Sequence, residues 1–114
     1  MSTLYRPLLP WRQLPFPLPW GEVFAQEGPL HLEIGFGDGR FTVRRALASP
    51  DERFVGLEIA TGSVMRGLRR VQRDDVSNVR LAKVGAQFAV RHFFAPQTLA
   101  RIVVNFPDPW PKDQ

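Results

Sequence analysis

Cysteine is absent from this chain, lysine occurs only twice, and no apolar run approaches the ~20 residues that a membrane span requires. The missing cysteine removes disulfide scaffolds, thiol nucleophiles and cysteine-ligated metals together, and fits a reducing compartment. Prolines interrupt every apolar stretch of "MSTLYRPLLPWRQLPFPLPW", so neither a signal-peptide core nor a transmembrane segment is read there. The expectation is a cytoplasmic protein, and no metal site is read from the sequence. The scarcity of lysine is the other side of an arginine bias. Thirteen arginines against two lysines give a net charge of +4, and the planar guanidinium fork suits phosphate groups and guanine edges. An anionic partner and a merely solvated arginine surface both explain that charge.

What is present is enough for one small domain or part of one: 114 residues, 44% of them hydrophobic. Residues 1–29 hold six of the eleven prolines, interleaved with Trp11, Phe16 and Trp20, and show neither a helical nor an alternating period. We read them as an extended arm packed over a core, with a proline-helix ligand for another protein as the alternative. From Leu30 to Gln114 short apolar runs alternate with helical patterns, the texture of an α/β fold with parallel strands. Strands are expected at 31–36, 53–59, 79–84 and 101–106, with amphipathic helices after the first two, the second opening on Thr61 or Ser63 as N-cap. Pro96 ends or kinks the third helical stretch. Four strands and three right-handed crossovers place the first and fourth strands side by side, with a ligand crevice at that switch point.

The first strand runs into "LEIGFGDGR", where Gly35, Gly37 and Gly39 permit a tight strand-to-helix turn and a close approach of ligand to bare amides. Glu58 ends the second strand, twenty-three positions after Gly35, where a carboxylate can accept both ribose hydroxyls of a nucleoside cofactor. A dinucleotide fingerprint would have a third small residue where this chain has Arg40, which disfavours NAD. Glu33, at the strand end, would repel a pyrophosphate but could face the cationic amino and sulfonium groups of S-adenosylmethionine. A strand-end acid paired with an arginine is the plainer account of it. In the last motif, "NFPDPWPK", prolines at 107, 109 and 111 fix φ near about −65° on alternate residues, so Asp108, Trp110 and Lys112 project from a stiffened loop beyond Asn105. They offer a carboxylate, a stacking face and a cation for phosphate.

The segments "LEIGFGDGRF", "FVGLEIATGSVMRGLRRV", "NVRL" and "NFPDPWPK" together resemble the tRNA (guanine-N7)-methyltransferases over about residues 30–112. The resemblance implies a Rossmann-like fold that transfers a methyl group from S-adenosylmethionine to N7 of a guanosine in the tRNA variable loop. It implies cofactor-binding roles for Glu33, Gly35, Gly37, Gly39, Glu58 and Asp108, a catalytic role for Asp108, and substrate binding by Lys112. Two departures accompany it. Gly85 in "KVGAQ" stands where the family has an adenine-contacting aspartate, and only Asp113 and Gln114 follow the lysine. The expectation is therefore a truncated domain of about four parallel strands, residues 30–114, with weak or no activity alone. Its fourth strand would have an open edge that favours self-association. A non-catalytic nucleoside-binding or interaction remnant of the same fold is the competing reading. A methyltransferase for exocyclic amines, reading Asn105 and the prolines as a relative of an Asn-Pro-Pro-aromatic motif, is opposed by Asp108 between the prolines.

Overall fold

The computed structural model of the chain describes residues 6–105, so that Asp108, Trp110 and Lys112 lie outside the described residues. In chain order the elements are a single 3-10 turn at Trp11–Gln13, α1 (Trp20–Val23), β1 (Leu30–Ile34), α2 (Arg40–Ala48), β2 (Arg53–Glu58), α3 (Thr61–Arg73), β3 (Val79–Lys83), α4 (Ala86–His92) and β4 (Arg101–Val104). All four strands are parallel, in the order β3-β2-β1-β4. The chain steps outward twice, then returns past β1, which makes the β1/β4 boundary the switch point anticipated from the crossover rule.

The reversal sorts the helices. Side chains alternate across a strand, and Leu30, Leu32, Val55 and Leu57 pack on one face against Trp20, Val23, Ala89 and Phe93, from the N-terminal segment and the α4 region. On the other face Phe54, Val79 and Leu81 pack against Val43 and Ala46 of α2 and Val64 and Val71 of α3. Both faces of β1 and β2 are therefore covered, as continuous apolar strands require. Burying each large aliphatic side chain among these contributes about 1.5–3 kcal/mol.

The proline-rich segment lies over the first face. Trp20 donates its indole N–H to the Phe93 carbonyl at 2.9 Å and stacks on Phe94 with ring centroids 5.1 Å apart. Nearer the N-terminus, the Leu9 amide donates to the Leu81 carbonyl at 2.8 Å and the Leu81 amide to the Pro7 carbonyl at 2.6 Å, a parallel bridge along the outer edge of β3. The short helix α1 is absent from the sequence reading, because Pro15, Pro17 and Pro19 hide it; Pro19 sits at the N-cap, where a missing amide hydrogen costs nothing.

Boundaries differ from expectation elsewhere too, β2, β3 and β4 ending at Glu58, Lys83 and Val104. The first strand stops at Ile34 and not at residue 36, since Gly35 turns to φ +80°. Neither Thr61 nor Ser63 caps α3: the N-cap is Ala60, without a side-chain bond, and the Ser63 hydroxyl instead accepts from Arg66 at 3.2 Å. Finally, α4 closes at His92, and Pro96 falls in a turn that Thr98 pins through its hydroxyl to the Ala95 carbonyl at 2.6 Å.

Candidate functional site

At the carboxyl end of β1 the chain must reverse into α2 within five residues, and two glycines there have a geometric reason. A Cβ on Gly35 would lie 2.9 Å from the Asn105 carbonyl oxygen. One on Gly39, at φ +81°, would lie 3.0 Å from the Gly67 Cα, so the pair of glycines lets α3 press directly against the loop. Asp38 closes the turn: its Oδ1 accepts the Arg40 amide at 3.0 Å, capping α2. That bond, followed by the Arg40, Arg70 and Arg66 guanidiniums, holds the Asp38 carboxyl below the usual carboxylate range.

Glu58, the last residue of β2, reaches back to this loop. Its Oε1 accepts the Gly37 amide at 3.1 Å, while Oε2 accepts the amides of Ile59 and Ala60 at 2.9 and 3.4 Å. One carboxylate thereby joins the glycine loop to the entrance of α3, supplying the N-terminal acceptor that Thr61 and Ser63 do not. Glu58 is half-buried, with lone pairs left for a ligand.

Between these groups lies an open cleft of about 530 Å³ at the switch point. Gly35, Gly37 and Glu58 line its polar wall; Ile34, Leu57, Ile59, Val84 and Ala86 make the remainder apolar, and Asn105 closes the β4 side. An apolar crevice with a few convergent polar groups is the form of a small-ligand site. Of the residues expected from the sequence, Gly35, Gly37 and Glu58 line the cleft and Gly39 supports it from behind. Gly85 sits beside Val84 and Ala86 as the N-cap of α4, with no atom within 4 Å of where a Cβ would be.

Glu33 is placed differently from an acid that faces a ligand. It is 2% exposed and points to the α2 side, where Thr42 donates its hydroxyl to Oε1 and Asn105 donates its amide to Oε2, both at 2.7 Å. Burial pushes its carboxyl above the ordinary value, opposed more weakly by the Thr42 and Asn105 bonds and by Arg45. The Asn105 amide also donates to the Gly35 carbonyl at 3.2 Å, so both its hydrogens are committed and β4 is tied to the glycine loop. The sequence marks Asn105 as the end of the fourth strand and as the first residue of a motif opposed by Asp108, but not as a partner of Glu33. The signal for its role is long-range, a partner 72 residues away.

A family model described as "Putative methyltransferase" matches residues 27–114. The chain belongs to this family. Among curated relatives, the tRNA (guanine-N(7)-)-methyltransferase of Thermus thermophilus is 52% identical over 91 residues, covering 80% of this chain and 29% of its own length. That of Thermotoga maritima is 39% identical over 97 residues, covering 85% and 31%. The chain thus spans about a third of the length of these relatives. Among solved structures, an antibiotic-related methyltransferase superposes with TM-score 0.58 at 19% identity, over 82% of this chain and 47% of that one. Phosphoethanolamine N-methyltransferase 2 of Haemonchus contortus, in complex with S-adenosyl-L-methionine, gives 0.54 at 21% identity, over 69% and 17%. The fold of the family member is accordingly Rossmann-like, with the cleft at its switch point.

Proposed function

We propose that this chain is the cofactor-binding portion of an enzyme that transfers a methyl group from S-adenosylmethionine to N7 of a guanosine in tRNA. The observation that carries the reading is the Glu58 carboxylate, fixed at the β2 terminus by the Gly37 amide on the wall of an apolar cleft. The names of its relatives supply the substrate. A nucleoside fits the donor set: carboxylate oxygens for ribose hydroxyls, apolar walls for the base, and bare glycine amides along the loop. When bound, S-adenosylmethionine supplies an electrophilic methyl group on a sulfonium. Glu58 holds the ribose, Gly35, Gly37 and Gly39 keep the loop close, and Glu33 acts from behind by orienting Asn105.

Guanine N7 carries an unprotonated lone pair, so no general base is needed to create the nucleophile; alignment is the requirement. The positive charge that develops on the base calls for a nearby carboxylate, the role assigned to Asp108, with Lys112 on a substrate phosphate. Residues 106–114, which carry both, lie outside the described residues.

Titration of S-adenosylhomocysteine into the chain tests the reading, with Glu58→Ala as the variant that loses binding. Methyl transfer to an unmodified tRNA transcript, assayed in a protein of the relatives' full length, tests the reaction. There Asp108→Asn lowers turnover much more than cofactor affinity, and equal activity of that variant sinks its role. Gly85 in place of an adenine-contacting acid favours a second reading, a non-catalytic nucleoside-binding or interaction remnant of the fold, which predicts no methyl transfer whether or not a nucleoside binds.

Two further parts of the proposal concern surroundings. Cytoplasmic location follows from a tRNA substrate; among the described residues no helix is long and apolar enough to cross a membrane. Self-association through β4 follows from its outer edge. The strand pairs only with β1 among the described residues, and Ile102 and Val104 are 50% and 42% exposed. A clean monomer by light scattering at high concentration counts against it.

A further inference from the structure

Arg66, Arg69, Arg70 and Arg73 recur on α3 at the spacing that puts side chains on one helical face, opposite the buried Val64, Gly67 and Val71. A helix face that serves solubility alone mixes charges of both signs, because like charges four residues apart destabilise a helix by a few tenths of a kcal/mol per pair, about 0.2–0.5. Here Arg66 and Arg70, and Arg69 and Arg73, are two such pairs. Arg40, at the start of α2, adds a fifth guanidinium.

Two carboxylates answer five cations. Asp38 lies 3.8 Å from Arg70 and 3.9 Å from Arg40, and Asp74 pairs with Arg73 at 3.0 Å. Arg66 and Arg69 have no carboxylate within ion-pair distance among the described residues; both are exposed. The surplus of three positive charges on this patch compares with a net charge of +4 for the whole chain. The patch is also concave: a depression of about 320 Å³ is lined by Asp38, Arg66, Arg69, Arg70 and Arg73.

Its position is set by the glycine loop. Gly37 faces the cleft and Asp38, the next residue, faces the arginines, while the Gly39–Gly67 contact holds α3 against the same loop. The two depressions share one wall, a loop thick. From this we infer that the arginine face of α3, with Arg40, is a docking surface for the sugar–phosphate backbone of RNA, holding the substrate beside the cofactor cleft. Guanidinium forks recognise phosphate oxygens in pairs. No aromatic ring lines the depression, so the contact is to backbone and not to stacked bases. RNA as the partner rests on the function proposed above; the charged depression does not.

The test is binding of an unmodified tRNA transcript to the 114-residue chain, followed by fluorescence anisotropy between 50 and 200 mM salt. Arg66→Gln with Arg69→Gln leaves the Asp38 contacts of Arg40 and Arg70 intact. We expect this double variant to weaken binding about tenfold and to flatten the dependence of log K on log salt by about 1.5. The charge-matched control Arg12→Gln with Arg91→Gln, on exposed residues of the opposite layer, loses less than threefold. Arg66→Lys with Arg69→Lys keeps most of the salt slope, and an unchanged far-UV spectrum and melting temperature confirm that each variant is folded. Equal losses in the two glutamine variants reduce the effect to net charge and overturn the inference. So does displacement of the RNA by polyglutamate at equal charge concentration, which would assign the surface to an acidic protein. If the arginine pair controls RNA binding but no N7 methylation is found in a protein of the relatives' full length, the surface stands and the proposed reaction falls. If methylation is found and the pair has no effect on binding, the surface alone falls.

Discussion

Glu33 and Asn105 meet at 2.7 Å behind the wall of the cleft, joining the middle of the sheet to the residue that closes the β4 side of the site. The carboxylate is 2% exposed, whereas the asparagine is exposed and reaches inward to it. A buried acid therefore sets the orientation of a side chain on the cleft wall. Removing either partner should be felt in binding as well as in stability.

Asn105→Ala leaves Glu33 with Thr42 as its one side-chain hydrogen-bond donor among the described residues and releases the Gly35 carbonyl from the side chain. The expected cost is about 1–2 kcal/mol of stability and about a tenfold loss of S-adenosylhomocysteine affinity, measured by urea denaturation and calorimetry. Asn105→Asp sets two carboxylates against each other and should lose affinity near neutral pH, recovering it as pH falls toward 5. An affinity for the aspartate variant that does not vary with pH would exclude the contact from the site.

Burial pushes the Glu33 carboxyl above its ordinary 4.5. The folded chain then binds this proton more tightly than the unfolded chain, and stability associated with the group is present at low pH and lost as pH rises through the folded value. Glu33→Gln removes that loss. The stability difference, variant minus parent, should be near zero below pH 4.5 and grow in the variant's favour above it. Urea midpoints from pH 4 to 8 give the comparison, and parallel curves would refute it.

Gly85→Asp restores a carboxylate at the α4 N-cap, where a Cβ meets nothing within 4 Å and the backbone is at an ordinary φ of −69°. The acid would stand beside Val84 and Ala86 on the cleft and cap the helix, a gain of a few tenths of a kcal/mol, about 0.3, in stability. If the cleft takes an adenine there, cofactor affinity should rise about five- to tenfold, one charged hydrogen bond's worth. Unchanged affinity would place the base elsewhere.

Trp20→Phe deletes the indole bond to the Phe93 carbonyl and shrinks the ring stacked on Phe94. The Leu18 amide still donates to that carbonyl at 3.0 Å, so the acceptor is not left bare, and the expected loss is about 1–2 kcal/mol. Chemical denaturation measures it; a loss below 0.5 kcal/mol would mean that the segment hardly contributes to the core.

Much of the site was legible because it depends on local geometry. A strand followed by alternating glycines, and an acid at the end of the next strand, are patterns within one βαβ unit, and Gly35, Gly37 and Glu58 fall on the cleft as that pattern requires. Glu33 was legible as a strand-end acid but not in its direction: which face it takes depends on Thr42 in the following helix and on Asn105 in a distant strand. The same holds for Trp20, whose partners Phe93 and Phe94 lie more than seventy residues on. The capping of α3 was misread for a different reason. Thr61 and Ser63 are the residue types that cap helices, but Glu58 had already supplied an acceptor from the strand side.

The bridge between Leu8 and Leu81 also gives the sheet a direction of growth. Its β3 side is covered by the segment around Leu8, with Pro7 and Pro10 on either side, whereas β4 at the other side pairs only with β1 among the described residues. Among the described residues the β4 edge of the sheet adjoins the Asn105 side of the cleft, so that strand pairing and the shape of the cleft meet at one residue.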